Sequence, residues 1–394
     1  MSNFFLLYKT EIKKIMSKKS VWIAMAIGIA LVLLVGLTNL SADGHSAYVK
    51  EQEKLLLAIS GRSIDDEFLD SFRNEMDKQI EEYPELYDMV AANDPGAVYQ
   101  NAAGNIGKSA LYDFLYNVVR NRDKISEVTA DEFYEAMRED IIKDGTELGS
   151  SAEELNTWLE IYDGIEKPMA YSYALAYLNI LDVLFIIGWV LILNISIALA
   201  GIFADEKTYR TDAMILSSKN GRKPVCLAKI AAGSTVAVAE ALILLGLCLG
   251  TMFFFYGATG WNAMIQNVIP SSPWNITIGT MMLIYIALAV LLSIFFAMTN
   301  TLISLLTKSS VATMAIHAAV IFAGLFNIPG KMGIIAKLWQ LKPTMALYYG
   351  SFCNTFRYGQ LNNVEASVLI YGICIIIFVS ILLMKYKTEQ VESR

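Results

Sequence analysis

Polar side chains are rare in the long apolar runs of this sequence, and the few found there could do chemistry. Asp182, Glu240 and His317 lie in runs long enough to cross a bilayer, where such groups need a partner or a wet cavity. Small residues surround Glu240 and permit close helix approach. A carboxyl that bonds a neighbouring helix and a carboxyl that contacts a substrate both fit Glu240. Asn194 and Asn300 fit interhelical hydrogen bonds better.

The patterns of common enzyme sites are missing or incomplete. Residues 104–109, GNIGKS, are similar to a phosphate-binding loop, but Ala102 stands where that pattern requires glycine. The only two histidines, His45 and His317, are far apart and outside any H-E-x-x-H pattern, so a zinc site of the metalloprotease kind lacks ligands. The four cysteines are scattered and predict no disulfide framework. We therefore expect no catalytic residue, metal ligand or cofactor in this chain.

The composition predicts an all-α polytopic membrane protein with six transmembrane helices. Of the 394 residues, 55% are hydrophobic, and a soluble protein would have to bury six long apolar runs. Residues 1–20 predict a basic amphipathic helix that lies in the membrane interface. A cleaved signal peptide is the competing interpretation, but a first run of about 20 residues is too long for one. The predicted spans lie near residues 21–40, 177–203, 227–256, 276–306, 309–328 and 366–384.

Charge predicts which parts of the chain lie on each side of the membrane. Residues 41–176 hold 29 acidic and 12 basic residues, whereas the remainder holds 9 acidic and 19 basic residues. Lysines and arginines cluster at residues 9–19 and 207–223. Cytoplasmic loops of membrane proteins carry an excess of basic residues. These clusters therefore predict that both termini lie in the cytoplasm and residues 41–176 lie outside.

Two stretches predict helices that do not cross the membrane. Capping-box patterns at residues 129–132 and 151–154 indicate that residues 41–176 form a helical extracytoplasmic domain between the first two spans. Residues 329–360 contain apolar stretches that are too short to cross and are broken by proline and glycine. Two short external helices that dip into the outer leaflet would fit, and so would a loop packed on the external domain.

A short charged segment, residues 204–226, lies between the second and third spans. Its acidic residues come early and its basic residues late, which suits one short helix from about Asp205 to Asn220 and Gly221. Tyr209, Ala213 and Leu216 fall at helical spacing and would give that helix a face for docking. An ordinary cytoplasmic loop helix is the competing interpretation.

Together these features resemble the membrane subunits of type-2 ABC exporters, a permease group that pairs with separate ATPase subunits. The likeness covers nearly the whole chain: an amphipathic first helix, a large external insertion after the first span, a coupling segment and short external helices before the last span. The family often has glycine just before the threonine of the coupling segment, where this chain has Arg210. The residues at positions that match the family's coupling pattern are Glu206, Thr211, Leu216, Ser217, Arg222 and Lys229.

The resemblance implies that residues 204–226, the coupling segment, dock on an ATPase subunit. Closure of that subunit would then move the spans through this contact. We expect Tyr209 and Leu216 to anchor the contact, and Glu206 and Arg210 to set its register. The implied contact residues are Glu206, Tyr209, Arg210, Thr211, Ala213 and Leu216.

The resemblance also implies an assembly of two permease chains and two ATPase chains in the plasma membrane. ATP and Mg are expected on the ATPase partner, and no nucleic acid is expected. The substrate would be a drug, an antimicrobial peptide, a lipid-like molecule or an ion, and the sequence does not choose among them. The competing function is a membrane sensor or anchor with an acidic external ligand-binding domain and no transport.

Overall fold

The computed structural model describes residues 2–42, 57–71, 129–218, 221–326 and 328–388. His45 and residues 104–109 lie outside these ranges. The helices within them are α1 (Ser2–Met16), α2 (Lys19–Ala42), α3 (Ala130–Leu148), α4 (Ala152–Asp163), α5 (Leu175–Leu199), α6 (Ala204–Thr208), α7 (Asp212–Ser217), α8 (Lys223–Tyr256), α9 (Ile278–Thr307), α10 (Ser310–Gly324), α11 (Ile334–Trp339) and α12 (Asn363–Thr388). A hairpin joins β1 (Arg357–Tyr358) to β2 (Leu361–Asn362).

Five helices of the described residues are long and apolar enough to cross a membrane: α2, α5, α8, α9 and α12. The sixth predicted span, residues 309–328, contains α10, an apolar helix of 15 residues. At a rise of 1.5 Å per residue, α10 is about 22 Å long. This length is short of the roughly 30 Å hydrocarbon core of a bilayer. Length and composition therefore identify five candidate spans and one shorter apolar helix.

Helix α5 lies at the centre of the bundle because it is apolar on almost every side. It packs against α2, α8, α9 and α10. Helix α1 is amphipathic: Ile15 is buried against the bundle, whereas Phe5 and Leu6 are 56% and 66% exposed. Helix α1 also packs along α8. This arrangement suits the interfacial helix predicted for residues 1–20.

A helical domain, residues 57–71 and 129–173, has a hydrophobic core separate from that of the bundle. Phe133, Met137 and Tyr162 are completely buried there. Both predicted capping boxes are confirmed, at Thr129 for α3 and at Ser151 for α4. The caps satisfy backbone N–H groups that the first turn of each helix leaves without partners.

Residues 328–362 pack on this helical domain. One carboxylate oxygen of Glu154, Oε1, accepts hydrogen bonds from Lys337 Nζ at 2.5 Å and from the Arg357 backbone N–H at 2.7 Å. Trp158 donates its indole N–H to Thr355 O at 3.0 Å. On the other side of α11, Ile334 is 67% exposed. Of the two interpretations of this segment, short helices in the membrane and a packed loop, the contacts therefore fit a loop packed on the helical domain. Helix α11 also keeps an exposed apolar side.

Acid is expected to loosen this packing through Glu154. Burial raises the pKa of its carboxyl group, but hydrogen bonds from Lys337, Ser151 and Arg357 outweigh burial and hold the pKa below its ordinary value. Stabilisation by a carboxylate with a lowered pKa is complete above its unfolded-state pKa, about 4.3, and is lost as pH falls through the folded-state value. Amide exchange protection of residues 334–358 should therefore decrease below about pH 4.

The Glu154→Gln variant is the control for this pH dependence. It should show weaker protection than the wild type at neutral pH and little further loss in acid, because the amide does not ionise in this range. Equal protection of the two proteins at pH 7 would contradict the role assigned to Glu154.

Candidate functional site

The coupling segment forms two short helices, so the prediction of one continuous helix is wrong. Helix α6 ends at a Schellman motif: the Arg210 N–H donates to Lys207 O at 3.2 Å and the Thr211 N–H donates to Glu206 O at 2.9 Å. Arg210 has φ = 58°, in the left-handed region that usually holds glycine. Arg210 stands where the resembling family often has glycine, and its backbone adopts a conformation that glycine favours.

The break between α6 and α7 changes which side chains face outward. Leu216 is 5% exposed and packs in the core of the bundle, so the prediction that it anchors a docking contact does not fit its position. Tyr209 is 75% exposed and Met214 is 70% exposed. Met214 was not predicted to face outward, because a continuous helical phase from Tyr209 selects Leu216 instead.

Glu206 faces inward as well, and it takes part in a buried charge cluster. Its Oε1 lies 2.8 Å from Nζ of Lys229, a residue of α8 that is 1% exposed. The same Nζ donates to Glu11 Oε2 at 3.1 Å and to Ile202 O at 2.5 Å. Lys14 pairs with Glu11 at 2.6 Å. Glu206 therefore joins the coupling segment to α1 and α8, and it is not an exposed orienting charge.

A serine of α9 fixes the start of the coupling segment. Phe203, at the N-cap of α6, provides no side-chain cap. Ser304 Oγ instead accepts hydrogen bonds from the Phe203 N–H at 3.2 Å and the Ala204 N–H at 3.1 Å, and it donates to Ala200 O at 2.7 Å. This side chain joins the end of α5 to the start of α6 and holds both against α9.

Two further contacts tie the segment to α1 and α12. Lys18 pairs with Asp205 at 2.8 Å. Arg222 donates from Nη1 to Lys387 O, near the end of α12, at 2.6 Å. With the contacts of Lys229 and Ser304, they hold the segment against α1, α8, α9 and α12. A force applied to the segment would therefore reach four helices.

Five of the exposed residues of the segment lie together, and we call them the docking face. They surround the turn between α6 and α7 and combine apolar side chains with one cation. Thr211 was among the predicted contact residues, but it is half-buried, and its hydroxyl group lies 3.4 Å from Glu206 O. The docking face consists of Thr208, Tyr209, Arg210, Ala213 and Met214.

Glu240 and Asn194 bond each other between α8 and α5. Asn194 Nδ2 donates to Glu240 Oε1 at 2.5 Å, and both residues are more than nine-tenths buried. Helix α2 closes this contact through Gly28, because a Cβ atom there would lie 2.7 Å from Asn194 Nδ2. Of the two interpretations of Glu240, the structure places it in an interhelical bond. Asn300 similarly donates to Ser196 Oγ on α5 at 3.4 Å.

The two remaining intramembrane candidates lie apart from that pair. His317 is 3% exposed, and its Nδ1 lies 3.1 Å from Thr313 O in its own helix. Asp182 is exposed, so it does not face the interior of this bundle, and the wet cavity expected as the alternative stays a prediction. It lies in the second turn of α5, close to the end of the helix, where a charged group reaches the interface more readily.

A family model described as ABC-2 family transporter protein matches residues 5–349. Searches of curated proteins and of solved structures found no match.

Proposed function

This chain belongs to the ABC-2 transporter family, and we propose that it is the membrane subunit of an ATP-driven exporter whose separate ATPase subunit binds the docking face. ATP and Mg belong to that partner in this proposal, since residues 104–109 are an incomplete phosphate loop. Hydrolysis by the partner would move the coupling segment, and the segment would move the spans.

The geometry of the coupling segment is the observation that carries the proposal. Polar contacts, of which those of Lys229 and Ser304 are buried, fix the segment to four helices, whereas Tyr209 and Met214 are left largely exposed. Aromatic residues and methionine are enriched at protein interfaces. An ordinary loop helix needs neither the buried Lys229 nor the cap from Ser304, so the coupling role fits the segment better than the plain loop interpretation.

The same contacts support a topology for the chain. Helix α1 and the end of α12 both reach the coupling segment, so a docked cytoplasmic ATPase puts both termini in the cytoplasm. The helical domain packs at the opposite ends of α5 and α9, which supports a position outside the plasma membrane. Helix α9 ends at the coupling segment and α12 begins beside residues 328–362. In this proposal the chain between α9 and α12, which contains the short helix α10, crosses the membrane once more, for six crossings in total.

We further propose that two copies of this chain act together, because one copy presents one docking face and an ATPase pair needs two. The exported substrate belongs to the classes named from the sequence: a drug, an antimicrobial peptide, a lipid-like molecule or an ion. The second candidate function is a membrane sensor or anchor without transport. The negative charge of residues 41–176 is the observation that favours this candidate, because an acidic external domain could bind a ligand by itself.

Co-expression with candidate ABC ATPase subunits from the same genome tests the proposal. The tagged chain should retain the ATPase in stoichiometric amount through size-exclusion chromatography. Membrane vesicles that contain both chains should hydrolyse ATP faster than vesicles with the ATPase alone. A chain that elutes alone as a stable species, with no change in ATP hydrolysis, would favour the sensor or anchor function.

A further inference from the structure

An open cleft of about 640 Å³ lies between the helical domain and the bundle. The last turn of α3 forms one wall with Asp144 and Glu147, and Phe185 of α5 lies on the bundle side. Residues of the 328–362 segment, among them Tyr348 and Asn354, complete the lining. In the proposed topology this cleft opens at the outer surface of the membrane domain.

The charge of this cleft is not balanced. Asp144 and Glu147 line it, and the described lining residues include no lysine or arginine. A second cleft, of about 480 Å³ in the helical domain, has more acidic residues but also contains Arg138 and Lys167. Arg138 pairs there with Asp163 at 3.3 Å. Unbalanced carboxylates between low-dielectric walls concentrate cations, and in the first cleft no basic side chain of the described lining competes with a bound cation for them.

The walls of the cleft add surfaces that suit an organic cation better than a metal ion. The rings of Phe185 and Tyr348 meet edge to face at 5.4 Å, and Met345 lies beside them in the lining. Aromatic faces attract cations, and apolar side chains cover the body of a ligand. Burial raises the pKa of the Cys353 thiol to about 12, so this lining residue adds no negative charge to the cleft.

We propose that this cleft binds a cationic amphiphile, an organic ammonium or phosphonium ion carried on an aromatic or aliphatic body. Asp144 and Glu147 bind the charge, and Phe185, Tyr348 and Met345 cover the apolar body. The cleft joins the helical domain to α5, so an occupant contacts the same helix that ends at the coupling segment. Only the role of the site in export rests on the proposed function; the binding itself does not.

Binding of tetraphenylphosphonium and of tetraphenylborate tests the site, because the two ions have the same shape and opposite charge. The full-length chain is placed in lipid nanodiscs, and binding to empty nanodiscs is subtracted. The phosphonium should bind saturably, and the Asp144→Asn/Glu147→Gln variant should bind it about tenfold more weakly, which corresponds to about 1.4 kcal/mol. The Tyr348→Leu variant should also bind it more weakly, since it lacks the aromatic face.

A variant of the second cleft, Asp131→Asn/Glu135→Gln, is the matched control and should bind the phosphonium as the wild type does. Each variant must elute and unfold thermally like the wild type to be compared. Equal phosphonium affinity of the wild type and the Asp144→Asn/Glu147→Gln variant would overturn the proposal, and so would equal binding of the borate.

The measurement needs no ATPase, so the two proposals can fail separately. Charge-selective binding without any association of an ATPase would retain the cation site and overturn the export function. A stable ATPase complex without charge-selective binding would overturn the cation site and retain the export function.

Discussion

The Lys229→Met variant is expected to lose about 3–5 kcal/mol of stability, because its buried charge cluster would be left with an excess of negative charge. Glu11 and Glu206 are 4% and 8% exposed and both contact Lys229 Nζ. Methionine fills a similar volume, so the loss comes from charge and hydrogen bonds and not from a cavity. The chain just before the coupling segment would also lose the hydrogen bond from Lys229 Nζ to Ile202 O.

Two measurements check this expectation. The thermal unfolding temperature of the purified chain should decrease, and amide exchange should accelerate in residues 204–217 more than in α9. Lys14→Met is the control, since the Lys14 side chain is 50% exposed and an exposed ion pair contributes only about 0–1 kcal/mol. Neutralising both carboxylates as well, with Glu11→Gln and Glu206→Gln, should restore part of the lost stability. Equal unfolding temperatures for Lys229→Met and the wild type would contradict the structural role of the cluster.

Much of the architecture was predictable because its physical signals are local. Hydropathy identified the apolar helices, and α5 is long and apolar enough to cross a membrane. The capping boxes at Thr129 and Ser151 were predictable because each involves residues only three positions apart. Helix α10 marks the limit of this approach: an apolar run of 20 residues predicted a full span, but the helix ends at Gly324.

The candidate site was less predictable because its decisive contacts join residues distant in sequence. The cluster of Glu11, Glu206 and Lys229 brings together three helices, and no periodicity links these residues. Arg210 is another case, since a non-glycine residue at positive φ gives no local signal for a helix end. Because the helix end at Arg210 was not predicted, the helical phase was continued past it. Leu216 was then assigned to the docking face in place of Met214.

Alanine at Tyr209 and at Met214 is expected to weaken ATPase binding strongly while the permease remains folded. Both side chains are largely exposed and project from a turn held by buried contacts, so they would enter a partner without reordering the segment. Truncating a buried interface anchor costs on the order of 1–4 kcal/mol. This loss corresponds to a dissociation constant raised roughly fivefold to several hundredfold. The measurement is the affinity of the purified permease for the ATPase subunit, with ATP hydrolysis by the complex as the second readout.

Two controls separate docking from folding in this experiment. Phe254→Ala removes a side chain that is 82% exposed at the far end of α8, so it should leave ATPase affinity unchanged. Leu216→Ala opens a cavity in the chain's own core and should lower stability by about 2–5 kcal/mol, with any loss of binding following from unfolding. If Tyr209→Ala/Met214→Ala retains the ATPase at wild-type affinity, the docking face is not the contact surface, and the segment is an ordinary cytoplasmic loop fixed to the bundle.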